Sequence, residues 1–373
     1  MHLPIYLDHH ATTPCDPRVV EKMLPFFTGV FGNPASIVHE HGRAASRAVE
    51  DARIAIARFF GAAPPEIVFT AGATESNNIA LRIAGRNDHV ITSAIEHKSV
   101  IAAANESGAE LTLLRPDRNG FIAPDALKLA IRSHTKLISI EAANGEIGTL
   151  QDIAALSAVA KERGILFHSD ITQAAGKVPL DLANVDLASF SAHKIYGPKG
   201  IGGLFVRRGI KVHPVIVGGG QERNIRSGTV NVPGVIGMAA AFQLRAAEMA
   251  EEAARLTGLR NELWDRILAE IPKTSVHGPR DLRLPGNLNV SFERVEAESL
   301  ILAMRRFSLS TGSACSTGER GPSRVLTAIG VGEAAAMGSI RIGMGASNTA
   351  EQMAMLVDDL GRTVTKLRKI SAS

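Results

Sequence analysis

Over its first 220 residues the chain alternates two hydrophobic rhythms. Short, nearly unbroken apolar runs at 66–70, 90–93, 111–114, 137–140, 165–168 and 187–190 predict strands, and 203–206 adds another. Helical spacing predicts helices over 44–59, from the turn at 72–75, after Glu96 and His97, and over 125–131 and 153–163. Strands joined by helical crossovers imply an α/β fold with a mostly parallel sheet covered by helices on both faces. After Gly220 the texture changes. Long alanine-rich, charged helical segments run from 235 through 256 to 269, followed by a strand at 286–292, a helix at 297–305 and a strand at 339–343. The expected division is a large domain over 15–250 and a smaller α+β domain built from 1–14 and 251–373.

Composition narrows the class without naming a function. The 373 residues are 45% hydrophobic and 21% charged, which suits a globular chain large enough for two domains. A formal charge of +4 with no block of like charges gives no nucleic-acid footprint. No apolar run approaches about twenty residues, so no membrane span is expected. The first residues lack a basic segment followed by an apolar one, and the two cysteines, Cys15 and Cys315, lie far apart. Both features lead to the expectation of reduced thiols and a cytoplasmic location.

The candidate chemistry gathers at strand ends. Lys194 sits on the turn between the runs at 187–190 and 203–206, and Asp170 closes the run that begins at 165. In a parallel sheet, ligands lie beyond the carboxyl ends of the strands, which puts both residues in one crevice. That pair suits pyridoxal 5′-phosphate, which needs a lysine amine for its aldehyde and a carboxylate for its ring nitrogen. Read alone, Lys194 is a solvated loop lysine. Ala73 and Thr74 open a helix after a strand, where free amides favour a phosphate, and Ser191 and His193 are placed to reach it too. Thr74 also reads as a simple helix cap. His97 is a candidate to stack on a planar ring and move protons, or a structural histidine; Gln173 is a candidate for the ring hydroxyl, or an ordinary loop residue. Cys315 lies among small polar residues, a setting that exposes a thiol and lets it ionise. Arg341, in an otherwise apolar strand, must clamp a carboxylate or find a structural ion pair. No metal is expected.

Taken together and in this order, these residues resemble the cysteine desulfurases of the class V aminotransferase group, pyridoxal phosphate enzymes of fold type I. The match runs from Tyr6-Leu7-Asp8 and Ala11-Thr12-Thr13-Pro14, through Gly32-Asn33-Pro34, the turn at 72–78 and Glu96-His97-Lys98. It continues through Asp170 with Thr172-Gln173, the turn at 191–200, Arg226-Ser227-Gly228-Thr229, the loop around Cys315 and Ser339-Ile340-Arg341. The resemblance implies that Lys194 carries the cofactor, Asp170 holds the ring nitrogen, Gln173 touches the ring hydroxyl and His97 stacks. It implies a phosphate cradle of Ala73, Thr74, Ser191 and His193, with Thr229 reaching in from a second subunit of a homodimer. Asn33 and Arg341 would bind the substrate carboxylate, and Cys315 would take sulfur from L-cysteine as a persulfide. The sulfur would then pass to an acceptor protein, an iron–sulfur scaffold or a tRNA-thiolation factor. The alternatives are a related lyase or aminotransferase, such as one acting on selenocysteine, and a weakly active subunit needing an accessory partner. One departure bears on the last: Gly145 stands where the family usually has an asparagine.

Overall fold

The computed structural model describes residues 3–312 and 321–371. A short strand, β1 (Ile5–Tyr6), precedes a seven-stranded sheet made of β2 (Ile67–Thr70), β3 (His89–Ser93), β4 (Glu110–Leu114), β5 (Thr135–Ser139), β6 (Leu166–Asp170), β7 (Leu187–Ser191) and β8 (Gly202–Val206). Their spatial order is β2-β8-β7-β6-β5-β3-β4. Neighbours from β7 to β4 pair in parallel, and β8 runs antiparallel to both β7 and β2. This is the expected α/β architecture. The strands β2, β3, β7 and β8 are buried at every residue, because helices cover both faces; their sequences therefore read as continuous apolar or small runs.

Two glycines in β8 set how closely the first helix of the site approaches. A Cβ on Gly202 would stand 2.6 Å from the Cα of Gly72, and one on Gly203 would enter the Phe190 ring. With hydrogen at both positions, the backbone at Gly72 lies directly against the sheet edge.

A second sheet is antiparallel. Its strands are β9 (Thr274–His277), β10 (Asn287–Phe292) and β12 (Ser339–Gly343), with β10 in the centre; between them in the chain lies β11 (Phe307–Ser308). The chain's start belongs here: β1 pairs in parallel with β11, and Asp8 bridges to Gly343. The two sheets are joined by one helix, Val232–Glu270, continuous over 39 residues where the sequence suggested a succession of segments. Its first half places Val235, Met238 and Phe242 in the core under the large sheet. Its second half places Leu256, Leu263, Trp264 and Ile267 in the core of the small one, which the helix Ala350–Ile370 completes.

Candidate active site

Five of the segments singled out from sequence leave the same edge of the large sheet. Strands β2, β3, β5, β6 and β7 all run in one direction, so Gly72, His97, Gly145, Asp170 and Lys194 follow neighbouring carboxyl ends. Strand β7 ends in the short turn Ala192–Lys194, which delivers the lysine half-buried at the crevice. Its Nζ donates to the carbonyl oxygens of His10 (2.6 Å) and Ala11 (2.7 Å). The N-terminal segment is stitched to the same turn, since Thr13 donates from its backbone N and its Oγ1 to the carbonyl of His193, both at 2.9 Å. His193 Nδ1 lies 3.1 Å from Thr12 Oγ1. Burial, together with Lys194, Lys199 and Lys177, lowers the His193 pKa to about 4, so its imidazole is neutral.

Asp170 is buried at the end of β6. One carboxylate oxygen accepts from Thr172 N (3.0 Å) and the other from Asn77 Nδ2 (2.8 Å). His97 follows β3 and caps the helix Lys98–Glu106, its Nδ1 accepting from Ser99 N at 3.2 Å while the ring stays exposed. The protein packed about it lowers its pKa; Asp170 opposes that, and Lys194, Arg324 and Lys98 reinforce it. The helix Ala73–Leu81 begins with no side-chain cap, and Ser191 Oγ is 3.8 Å from where a Cβ on Gly72 would stand.

The segment that carries Thr229 is pinned to this edge by a buried ion pair. Arg53 and Glu222 meet in two 2.8 Å hydrogen bonds, and Glu222 also accepts from Phe69 N at 2.8 Å. Glu222, Arg223 and Asn224 have φ of 44°, 57° and 65°, a left-handed turn outside glycine. Arg226 then reaches Glu75 at 3.1 Å. Thr229 and Asn33 are exposed, and neither bonds another candidate residue among those described.

Arg341 finds an ion pair. Its Nη2 is 2.7 Å from Asp8 Oδ1, Nη1 donates to the Gly145 carbonyl (3.1 Å), and its buried Nε has no partner among the described residues. Gln173 is engaged in the same way: Nε2 donates to the His10 carbonyl (2.9 Å) and Oε1 accepts from Lys177 Nζ (3.1 Å). A Cβ on Gly145 would come within 2.7 Å of Gln173 Nε2. The unusual glycine therefore makes room for this glutamine. Glu146, buried beside it, has its pKa raised to about 7 by burial, against a hydrogen bond from Ser323 and the charges of Arg341 and Arg324. Cys315, the expected nucleophile, lies outside the described residues. Cys15 is half-buried, and burial and Asp16 raise its pKa against Lys199.

The family model for class V aminotransferases matches residues 5–356. The chain belongs to that family. Among relatives of this class V aminotransferase, a protein named cysteine desulfurase IscS from Anaeromyxobacter dehalogenans is 46% identical over all of this chain and 95% of its own length. A protein of the same name from Salmonella paratyphi B is 47% identical over the same shares. A solved structure titled NifS-like protein superimposes with a TM-score of 0.91 at 34% identity, covering 98% of this chain and all of that one.

Class V aminotransferases depend on pyridoxal phosphate, and the residues here fit it. Asp170 is a buried carboxylate that forms no ion pair among the described residues, the helix start at Ala73 has no side-chain cap, and the His97 ring is anchored through Nδ1 and bonds no other described residue. Sequence reasoning missed His10, Asn77, Ser99 and Lys177. Ser99 carried a signal, being two residues beyond a histidine that starts a helix. Asn77 and His10 meet the candidate residues across about 90 to 180 residues of chain, whereas Lys177 lies only four residues beyond Gln173.

Proposed function

We propose that this chain is a cysteine desulfurase that converts L-cysteine to L-alanine and leaves the sulfur as a persulfide on Cys315 for delivery to an acceptor protein. The observation that carries this reading is full-length identity of 46–47% to proteins of that name, in a chain that sets Lys194, Asp170 and His97 at neighbouring strand ends. When bound, pyridoxal phosphate supplies an electron sink that makes the substrate Cα proton removable.

The chain's own groups do the rest. Asp170 binds the ring nitrogen, and Ala73, Thr74, Ser191 and His193 bind the phosphate, with Thr229 of the second subunit. Gln173 orients the ring hydroxyl, which requires its amide to turn from His10. Arg341, through its unpartnered Nε, and Asn33 hold the substrate carboxylate. Lys194 Nζ takes the proton from Cα, in a pocket where two carbonyls already orient it. The Cys315 thiolate attacks the substrate sulfur; an S–S bond forms, the Cβ–S bond breaks, and Cβ gains a proton to give alanine.

In this reading 15–250 form the large domain and 1–14 with 251–373 the small one, in a cytoplasmic homodimer. Exposed Phe31, Ile37 and Val38 around Asn33 support a second copy covering that surface. The acceptor is an iron–sulfur scaffold or a tRNA-thiolation factor. No described helix is long and apolar enough to cross a membrane. The test is to load the protein with cofactor, add L-cysteine and a thiol reductant, and measure alanine and sulfide. Equal amounts of both from wild type, and neither from Cys315→Ala, are expected. Undiminished turnover in Cys315→Ala would transfer the reading to a lyase that needs no protein thiol.

A further inference from the structure

A chain of hydrogen bonds joins His97 to Asp170 through two residues that the proposed mechanism leaves unused. Ser99 Oγ lies 2.7 Å from His97 Nδ1, Asn77 Nδ2 is 2.9 Å from Ser99 Oγ, and the same Nδ2 is 2.8 Å from Asp170 Oδ2. Asn77 and Ser99 are both buried, and Asn77 Oδ1 has no partner among the described residues.

Donor and acceptor chemistry fixes the direction of every bond. A carboxylate only accepts, so the Asn77 amide must turn its NH2 towards Asp170; the reverse orientation would set two acceptors face to face. The second hydrogen of that NH2 goes to Ser99 Oγ. Ser99 then spends a lone pair on Asn77 and has its own hydrogen left for His97 Nδ1. The Ser99 backbone N–H, which can only donate, points at the same nitrogen from 3.2 Å. Nδ1 therefore meets two donors and must offer its lone pair. The neutral ring carries its proton on Nε2, which bonds no described residue.

Resting on the desulfurase reading for the reaction but not for the geometry, we infer that Asn77 and Ser99 are positioning residues that hold His97 as the neutral Nε2–H tautomer. His97 then serves the reaction as a hydrogen-bond donor to negative charge developing in the cleft, and removal of the Cα proton falls to Lys194. A neutral imidazole at a helix start acting as an electrophile is a known arrangement in other enzymes. Here it is reinforced electrostatically: Lys194, Arg324 and Lys98 all disfavour the imidazolium, with Asp170 the opposing charge.

The experiment is 15N NMR of histidine-labelled full-length protein at pH 8, with and without cofactor, the His97 signals being assigned by their loss in His97→Gln. Expected are a proton-bearing Nε2 and an unprotonated Nδ1 in both forms. In Ser99→Ala and Asn77→Ala, where the residue-99 backbone N–H remains as a donor to Nδ1, the preference for Nε2–H should weaken measurably, and kcat for alanine formation should fall about tenfold, the scale of one orienting hydrogen bond, with KM little changed; Ser99→Thr should restore both. A protonated Nδ1 in wild type overturns the inference, as does a Ser99→Ala protein with wild-type tautomer and kcat. Should Ser99→Ala or Asn77→Ala fail to fold, the wild-type spectrum still decides. If wild type forms no alanine, the desulfurase reading fails while the spectrum judges the tautomer separately.

Discussion

Replacing Glu222 by glutamine keeps the shape of the segment that carries Thr229 and removes its charge. In the native protein Arg53 and Glu222 are 5% and 4% exposed, and the guanidinium also donates to the Ile67 carbonyl and lies 4.4 Å over the Phe69 ring. Its other anionic contact is Glu50, which is largely in solvent. Removing one member of a buried pair leaves the other charge uncompensated, which costs about 3–5 kcal/mol. The left-handed turn at Glu222–Asn224, held against an intrinsic preference of about 1–2 kcal/mol per residue, loses its anchor at the same time. Glu222→Gln should therefore destabilise the protein by about 3 kcal/mol in urea unfolding followed by far-UV circular dichroism, and weaken cofactor retention through the Arg226–Glu75 contact. In an Arg53→Met background the buried carboxylate is itself the unpaired charge, so the same replacement should be neutral or stabilising. An equal loss from Glu222→Gln in both backgrounds would show that the pair does not anchor this segment.

Glu146→Gln tests the buried carboxyl beneath the site. A folded pKa near 7, above the unfolded 4.5, means that stability contributed by this group is complete below pH 4.5 and lost as pH rises through 7. The shift is worth about 3 kcal/mol. The variant should gain roughly that much over wild type at pH 8 and little at pH 5; a pH-independent difference in urea midpoint would refute it. Gly145→Ala should push the Gln173 amide off His10 and Lys177 and cost about 1–2 kcal/mol, and Gln173→Ala added to it should cost less than the sum of the two, by urea unfolding. Phe31→Glu with Val38→Glu should convert a homodimer to monomers in analytical ultracentrifugation; an unchanged sedimentation coefficient would place the interface elsewhere.

The parallel sheet was legible because both of its faces are covered, which writes inner strands such as Leu187–Ser191 as uninterrupted apolar or small runs. Strand β9, with only intermittent burial, left no such mark, and the helix Ala350–Ile370 went unnamed although its apolar stripe is regular. The candidate residues at strand ends stood out through residue type: a lysine, an aspartate and a histidine, each at or just beyond the end of an apolar run. The groups that hold them were not. Lys194 is oriented by carbonyls over 180 residues away, and Glu222 is paired with a residue on a helix 169 positions earlier. Gly145 stood out in the sequence as a departure, but its reason, the Gln173 side chain, appears only when two strand ends are brought together.

The helix Val232–Glu270 makes the protein a ruler. At about 1.5 Å per residue it spans about 58 Å, and each added residue turns the remainder of the helix by about 100°. One residue inserted between Phe242 and Leu256 would swing Leu263 and Trp264 away from the core they fill. Seven would restore the facing to within about 20° yet carry the small sheet about 10 Å outward. Either change would pull Arg341 from the Gly145 carbonyl, which stands at the edge of the large sheet. The number of residues between the two cores is therefore a structural constraint in its own right, separate from the identity of the side chains along that stretch.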